Sequence, residues 1–326
     1  MITLLGGAAA AWPLAARAQQ PNRMRRIGVL KNTPEGDSEA RVEIAAFEKE
    51  LKGLGWREGQ NIHIEYRFGA GDATRMVAFA KELVALKPDL LVARSTAAAK
   101  PLAAETTMIP IVFIAVSDPV GEGFAANFAR PGGNVTGFSN VESTMAGKWV
   151  ELLKEISPNL KRVIFMFNPE TAPMGGDYYA RLVRNAAEAS GVAAIAAPLH
   201  NPAEIETAVA AHANELGSSL LLLPDAFGNT HRARIIDLAT QLRMPAIYSF
   251  GHMAREGGLI AYGVDNVDLY RRSASYVDRI LKGERPGDLP VQAPTRFELV
   301  INLKTAESLG LTIPPTLLAI ADEVIE

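Results

Sequence analysis

The sequence contains no cysteine. That excludes disulfides, thiolate catalysis, cysteine-ligated zinc and a lipid-modified N-terminal cysteine. Charge of either sign is not in excess: 33 Lys and Arg stand against 36 Asp and Glu, for a formal net charge of -3. Such a balance gives no electrostatic reason to bind nucleic acid. The one dense basic cluster, Arg23, Arg25 and Arg26, directly precedes the first apolar run and reads as a solvated edge. No Walker A loop and no G-x-S-x-G elbow occur. Gly69-Ala70-Gly71 lacks the third glycine of a dinucleotide fingerprint and reads as a turn. The five histidines are His63, His200, His212, His231 and His252, and no two stand four apart, the spacing of a helical zinc site. Without a nucleophile, metal site or oxyanion site to assemble, the sequence predicts no catalytic residue, no metal and no cofactor.

What is present begins at the N-terminus. Residues Ile2 to Ala16 are uncharged and apolar or small, Ala16-Arg17-Ala18 follows, and Gln19-Gln20-Pro21 breaks the run. This is the apolar segment and A-x-A site of a signal peptide, although no basic residue precedes Ile2. It is shorter than the ~20 apolar residues of a permanent membrane span. Cleavage after Ala18 and export to the periplasm are therefore expected. The 326 residues exceed what one hydrophobic core usually organises, so two lobes are expected.

After Arg26 short apolar runs alternate with helical patterns. Ile27-Gly28-Val29-Leu30 is a buried strand, and Ile44, Phe47, Leu51 and Leu54 share one face of the helix that follows. Further strands are predicted at Ile62 to Tyr66, Leu90 to Val92 and Ile109 to Ala115, with helices between them. The second half repeats the order: Arg162 to Phe167 answers Arg26 to Lys31, Ser219 to Leu223 answers Asp89 to Ala93, and Met244 to Tyr248 answers Ile109 to Phe113. The predicted fold is α/β, with two doubly wound parallel-sheet lobes and a ligand cleft between them.

In open parallel sheets ligands bind beyond the carboxyl ends of the strands, where helix N-termini offer free N–H groups. The candidate ligand contacts at those ends are Ser95, Thr96, Ser117, Asp118, Asn168, Asp225, Tyr248 and Tyr262. Ser95 and Thr96 open a helix and suit either a ligand carboxylate or a plain N-cap. Asp225 has two readings, a partner for a ligand ammonium or a helix cap, and for Asp118, which precedes Pro119, the cap is favoured. Asn168 sits beside Pro169 and suits a turn equally well. Tyr248 and Tyr262 suggest aromatic walls, and Phe250 reads as either wall or core. His252 reads as a polar rim contact.

Several stretches resemble a known family: Ile2 to Gln20, Gly53 to Asn61, Ile109 to Phe113, Ser117 to Val120 and Ala129 to Gly137, whose Pro131-Gly132-Gly133-Asn134 turn is the most specific. The chain resembles the ABC-transporter substrate-binding proteins related to tryptophan-type binding components, although the twin-arginine pair of such leaders is absent. The resemblance implies a type I periplasmic-binding fold with crossovers near Gly137-Phe138, near Gly263-Val264-Asp265 and between Leu289 and Glu298. Residues 25–138 with 265–288 then form one lobe, and residues 139–264 with 289–326 the other. The returning helix presents Tyr270, Ala274, Val277 and Leu281. The implied protein is a monomeric, non-enzymatic binder that captures a small organic ligand, an amino acid or an aromatic or carboxylate compound, by lobe closure for an ABC permease in the inner membrane. The alternatives are a binding protein that signals to a membrane receptor and, with least support, an α/β enzyme.

Overall fold

The computed structural model describes residues 23–326, so the expected leader over residues 1–18 lies outside the described residues. The first sheet is built from β1 (Arg25–Lys31), β2 (Ile62–Phe68), β3 (Leu90–Arg94), β4 (Ile111–Val116) and β5 (Val135–Ser139). Its order is β2-β1-β3-β4-β5 and every pairing is parallel. Between the strands run α1 (Ser38–Gly53), α2 (Ala73–Ala85) and α3 (Thr96–Glu105). Every residue of β3 and β4 is buried, as expected for β-branched and leucine-rich strands covered on both faces. Asp37 and Asp72 start α1 and α2 by accepting bonds from the amides of Ala40 and Arg75.

After α4 (Met145–Ile156) the second lobe repeats the plan with β6 (Arg162–Phe167), α5 (Asp177–Ala189), β7 (Ala193–Pro198), α6 (Glu204–Ala213) and β8 (Ser218–Leu222). There follow α7 (Ala226–Thr230), α8 (Arg232–Gln241), β9 (Ala246–Tyr248), α9 (Gly251–Arg255) and β10 (Ile260–Val264). The order β7-β6-β8-β9-β10 matches that of the first sheet. The chain then returns as α10 (Asn266–Leu281), whose buried Tyr270, Ala274, Val277 and Leu281 pack toward α1. It finishes with β11 (Phe297–Asn302), α11 (Leu303–Ser308), α12 (Pro315–Ile320) and β12 (Glu323–Ile325). The β10–β11 pairing is antiparallel, a departure from an all-parallel sheet that arises because the returning chain re-enters beside the strand it left.

Three connecting segments lie side by side. Gln292 donates its amide to Gly137 O at 2.8 Å, and Ser139 donates to Gln292 O at 2.8 Å. Asp265 donates to Arg296 O at 3.3 Å. Leu289 to Gln292, grouped with the second lobe on sequence grounds, instead run along β5: Thr136 Oγ1 donates to Leu289 O, and Val291 joins the core of the first lobe.

One helix face also departs from expectation. In α1 the buried residues are Ala40, Glu43, Phe47 and Leu51, with Ile44 only partly covered. Glu43 takes the inward position because two buried cations meet it there.

Candidate functional site

The carboxyl ends of both sheets face each other, and the first lobe supplies the charge. Lys31 at the end of β1 is fully buried and donates to Glu43 Oε2 at 2.6 Å and to Tyr270 Oη at 2.7 Å. Arg94 at the end of β3 donates to Glu43 Oε1 at 3.2 Å. Its guanidinium stands 5.7 Å from the ring centre of Phe250 on the second lobe. Burial pushes the Lys31 ammonium below its ordinary pKa. Burial alone would raise Glu43, but Lys31 and Arg94 outweigh it and bring the carboxyl down to about 2. Glu43 is thus the carboxylate that both basic side chains share.

Along the carboxyl edge of this sheet lie polar groups without partners among the described residues. They are both amide atoms of Asn32, the Thr33 and Ser95 hydroxyls, Arg94 Nε and Asn140 Nδ2, all in buried residues. The strand register Leu30 to Ala93 places Asn32 next to Ser95. Buried polar groups normally find a partner, and each one left alone costs about 1–3 kcal/mol. Ser95 is also strained: its φ of 78° and ψ of 166° lie in a region that is essentially glycine-only. Its hydroxyl does not cap α3. Unpartnered buried atoms also occur on Ser157, Ser218, Ser219 and Asn266, but beside Ser95 they coincide with backbone strain, and that combination points to a ligand site.

A cavity of about 310 Å³ opens next to Asn32. Met76 and Val77 of α2 and Ala97, Pro101 and Ala104 of α3 give it apolar walls, and Glu170, Thr171 and Ala226 close it from the second lobe. The alanines, at positions that share one face of α3, keep the slot wide.

Of the residues singled out from sequence, Ser95, Thr96 and Ser117 are buried at the edge of the first sheet. Ser117 Oγ lies 3.0 Å from Asn140 Oδ1 and 2.8 Å from Tyr179 Oη of the second lobe. Asp118 accepts the Gly121 amide at 2.9 Å, a loop-capping role. Asp225 caps α7 and accepts from Thr171 Oγ1 at 2.5 Å, from the Asn168 amide at 3.1 Å and from the Gly228 amide at 3.3 Å. Burial raises its carboxyl to about 6 against these bonds. Asn168 turns its Oδ1 to the Glu170 amide. The two tyrosines do not join the site. Tyr248 packs in the core of the second lobe with Ile164 and Met253. Tyr262 stacks on Phe297, with ring centres 5.9 Å apart.

Lys31, Asn32, Glu43, Arg94 and Asn140 were not among the sequence candidates. Lys31, Asn32 and Arg94 do lie on the strand ends predicted to line the cleft. His252, read as a rim contact, is buried with its Nε2 3.0 Å from Asn229 Oδ1, and burial and Arg232 hold its pKa down to about 3. Among the described residues no cluster of three metal-binding side chains occurs, and no helix is long and apolar enough to cross a membrane.

Residues 27–325 match the family model of the ABC transporter substrate binding proteins. The chain belongs to that family. Its members bind solutes and are not enzymes. A tyrosine-binding protein of Clostridioides difficile is 26% identical over 266 residues, covering 81% of this chain and 75% of the relative. Among solved structures, a conserved domain protein from Vibrio cholerae is 30% identical with a TM-score of 0.86, covering 93% of this chain and 100% of that one. An ABC domain from Streptococcus pneumoniae in complex with L-Trp is 27% identical with a TM-score of 0.85, at 93% and 100% coverage. Membership in this substrate-binding family fits the strained, unpartnered edge of the first sheet.

Proposed function

We propose that this substrate-binding protein works in the periplasm, closing its lobes around a small organic carboxylate with an apolar or aromatic side chain and delivering it to an ABC permease of the inner membrane. The observation that carries the reading is the unpartnered amide of Asn32, which lines a largely apolar slot, with further unpartnered groups on Ser95, Arg94 and Asn140 at the carboxyl edge of the same sheet. Ser95 Oγ, the first amides of α3 and Arg94 Nε suit a carboxylate. The slot suits the side chain. The tyrosine and tryptophan named for two relatives support this class. Residues 25–138 with 265–288, and residues 139–264 with 293–326, are the two moving units of a monomer, with the adjacent connecting segments as the hinge. Cleavage after Ala18 releases the mature chain.

The test is a thermal-shift screen of purified residues 19–326 against amino acids, aromatic acids and short carboxylates. A ligand at about 100 times its dissociation constant adds roughly 2.7 kcal/mol of stability, which a melting curve resolves. A hit recovered unchanged by mass spectrometry supports the reading. A hit recovered as product, or a screen in which no carboxylate shifts the curve, refutes it.

A further inference from the structure

The charges in and around the slot bear on which carboxylate it takes. We infer that Glu170 of the second lobe receives a charged amino group of the ligand, and so selects an amino acid over the same acid without its ammonium. The inference rests on the reading above that a carboxylate meets the edge of the first sheet, and it names the residue that discriminates.

Two observations carry it. First, the slot holds one free charge. Lys100 and Glu170 are the charged residues in its lining. Lys100 faces Glu122 at 3.4 Å, and Glu122 also accepts the Met174 amide at 2.6 Å. The Glu170 carboxylate has neither an ion pair nor a hydrogen bond among the described residues; its one side-chain contact of that kind is made by its backbone amide. A glutamate in open solvent needs no partner. This one stands in the wall of a largely apolar slot, where a bound ligand displaces its water, and a carboxylate that loses water is stabilised by a cation.

Second, the charges deeper in the cleft already balance. Lys31 and Arg94 share Glu43, and Arg232 lies between Asp37 and Glu256. Three basic side chains thus meet three acidic ones. Burial and neighbouring Glu43 raise the Glu39 carboxyl to about 7, so the charge it retains is negative, and burial with Arg232 keeps His252 neutral. This network leaves no positive excess for an anionic ligand to cancel. A zwitterion, neutral overall, gives its carboxylate to the Ser95 hydroxyl and the first amides of α3 and its ammonium to Glu170.

Glu170 is also held in place. Its amide donates to Asn168 Oδ1 at 2.7 Å, and the adjoining Thr171 donates its hydroxyl to Asp225 at 2.5 Å. Asp225 accepts the Asn168 amide at 3.1 Å, which ties the two supports together. Asn168 and Asp225 are therefore positioning residues for Glu170. Since α3 belongs to the first lobe and Glu170 to the second, an amino acid bound this way spans the cleft, and its ammonium contact favours closure.

The experiment compares matched pairs by calorimetry at pH 7.5: L-phenylalanine against 3-phenylpropionate, and L-tryptophan against indole-3-propionate. At least one amino acid is expected to bind about tenfold or more tightly than its ammonium-free acid, the scale of one hydrogen-bonded charge. Glu170→Gln is expected to bring that ratio close to one by weakening the amino acid while the acid binds as before. Glu170 is exposed, so the substitution leaves the core untouched, and an unchanged melting temperature confirms it. An acid that binds wild type as tightly as its amino acid overturns the inference and leaves the carboxylate site standing. So does a Glu170→Gln protein that keeps the wild-type ratio, or one that weakens both members alike. If no member of either pair binds, the carboxylate reading itself falls, and this inference falls with it.

Discussion

The Arg232 guanidinium on the second lobe lies 2.8 Å from Asp37 Oδ2 at the start of α1 on the first lobe. Both side chains are nearly buried, and Arg232 is further held by Glu256 at 2.6 Å and by the Asn229 carbonyl at 3.0 Å. The pair joins the lobes without lining the ligand cavity. Ser117 and Tyr179 make a second link, and Glu122 with the Met174 amide a third.

A contact made only in the closed state contributes to apparent affinity, because a ligand that needs closure gains from anything that favours it. Arg232→Ala is therefore expected to weaken binding of any screened ligand by about tenfold or more, mainly through faster release. Stopped-flow dissociation and small-angle scattering of the unliganded protein measure this. An unchanged release rate and an unchanged radius of gyration would show that the pair does not help hold the lobes together.

Ser95 combines backbone strain of about 1–3 kcal/mol with a buried hydroxyl that has no partner. Glycine relieves both, since it adopts that conformation freely and removes the hydroxyl. Ser95→Gly should raise the melting temperature of the empty protein while lowering ligand affinity by roughly tenfold. Asn32→Ala should lose affinity with no loss of stability. A Ser95→Gly protein that melts lower and binds normally would mark Ser95 as an ordinary structural residue.

The order of strands was legible because period, length and the repeat between halves are local properties. The cleft segments followed from topology, which names an edge of the sheet but not the side chains that meet there. Glu43 shows the gap: the helical spacing favours apolar Ile44 on the inner face, and nothing local to α1 reveals that Lys31 and Arg94 converge from two strands. Tyr248 shows another. β9 is three residues long, too short for alternation to say which face each side chain takes, and its ring is enclosed by the core of the second lobe. Asp118 and Asp225 stood among the ligand candidates because they follow strands, with a cap favoured for Asp118 and either role open for Asp225, and nearby amides engage both of them.

Gly263 at the end of β10 packs against backbone: a Cβ there would overlap the Ser249 carbonyl oxygen, and one on Gly137 would overlap that of Phe113. Both glycines stand where the chain leaves a sheet to cross between lobes. Backbone cannot swing aside as a flexible side chain can, so Gly263→Ala is expected to cost about 3 kcal/mol or more. Urea denaturation measures it, and a change below about 0.5 kcal/mol would mean the two strands separate freely at the crossover.

Glu39 and His252 face each other across the lobes with opposite displacements, the carboxyl raised from 4.5 to about 7 and the imidazole lowered from 6.5 to about 3. Each is shifted toward its neutral form, and burial is the largest cause of both. For Glu39 the folded state binds the proton more tightly than the unfolded one, so its stabilising contribution is complete below pH 4.5 and is lost as pH rises through 7. For His252 the unfolded state binds the proton more tightly. Its contribution is complete above 6.5 and is lost as pH falls toward 3. Other groups titrate in the same range, Asp225 among them, so the informative quantity is a difference between proteins. Glu39→Gln keeps a neutral polar side chain at every pH. Its stability relative to wild type should therefore rise between pH 5 and pH 8 and level off above that, measured by urea denaturation at each pH. A flat difference across that range would mean that Glu39 is ionised throughout it.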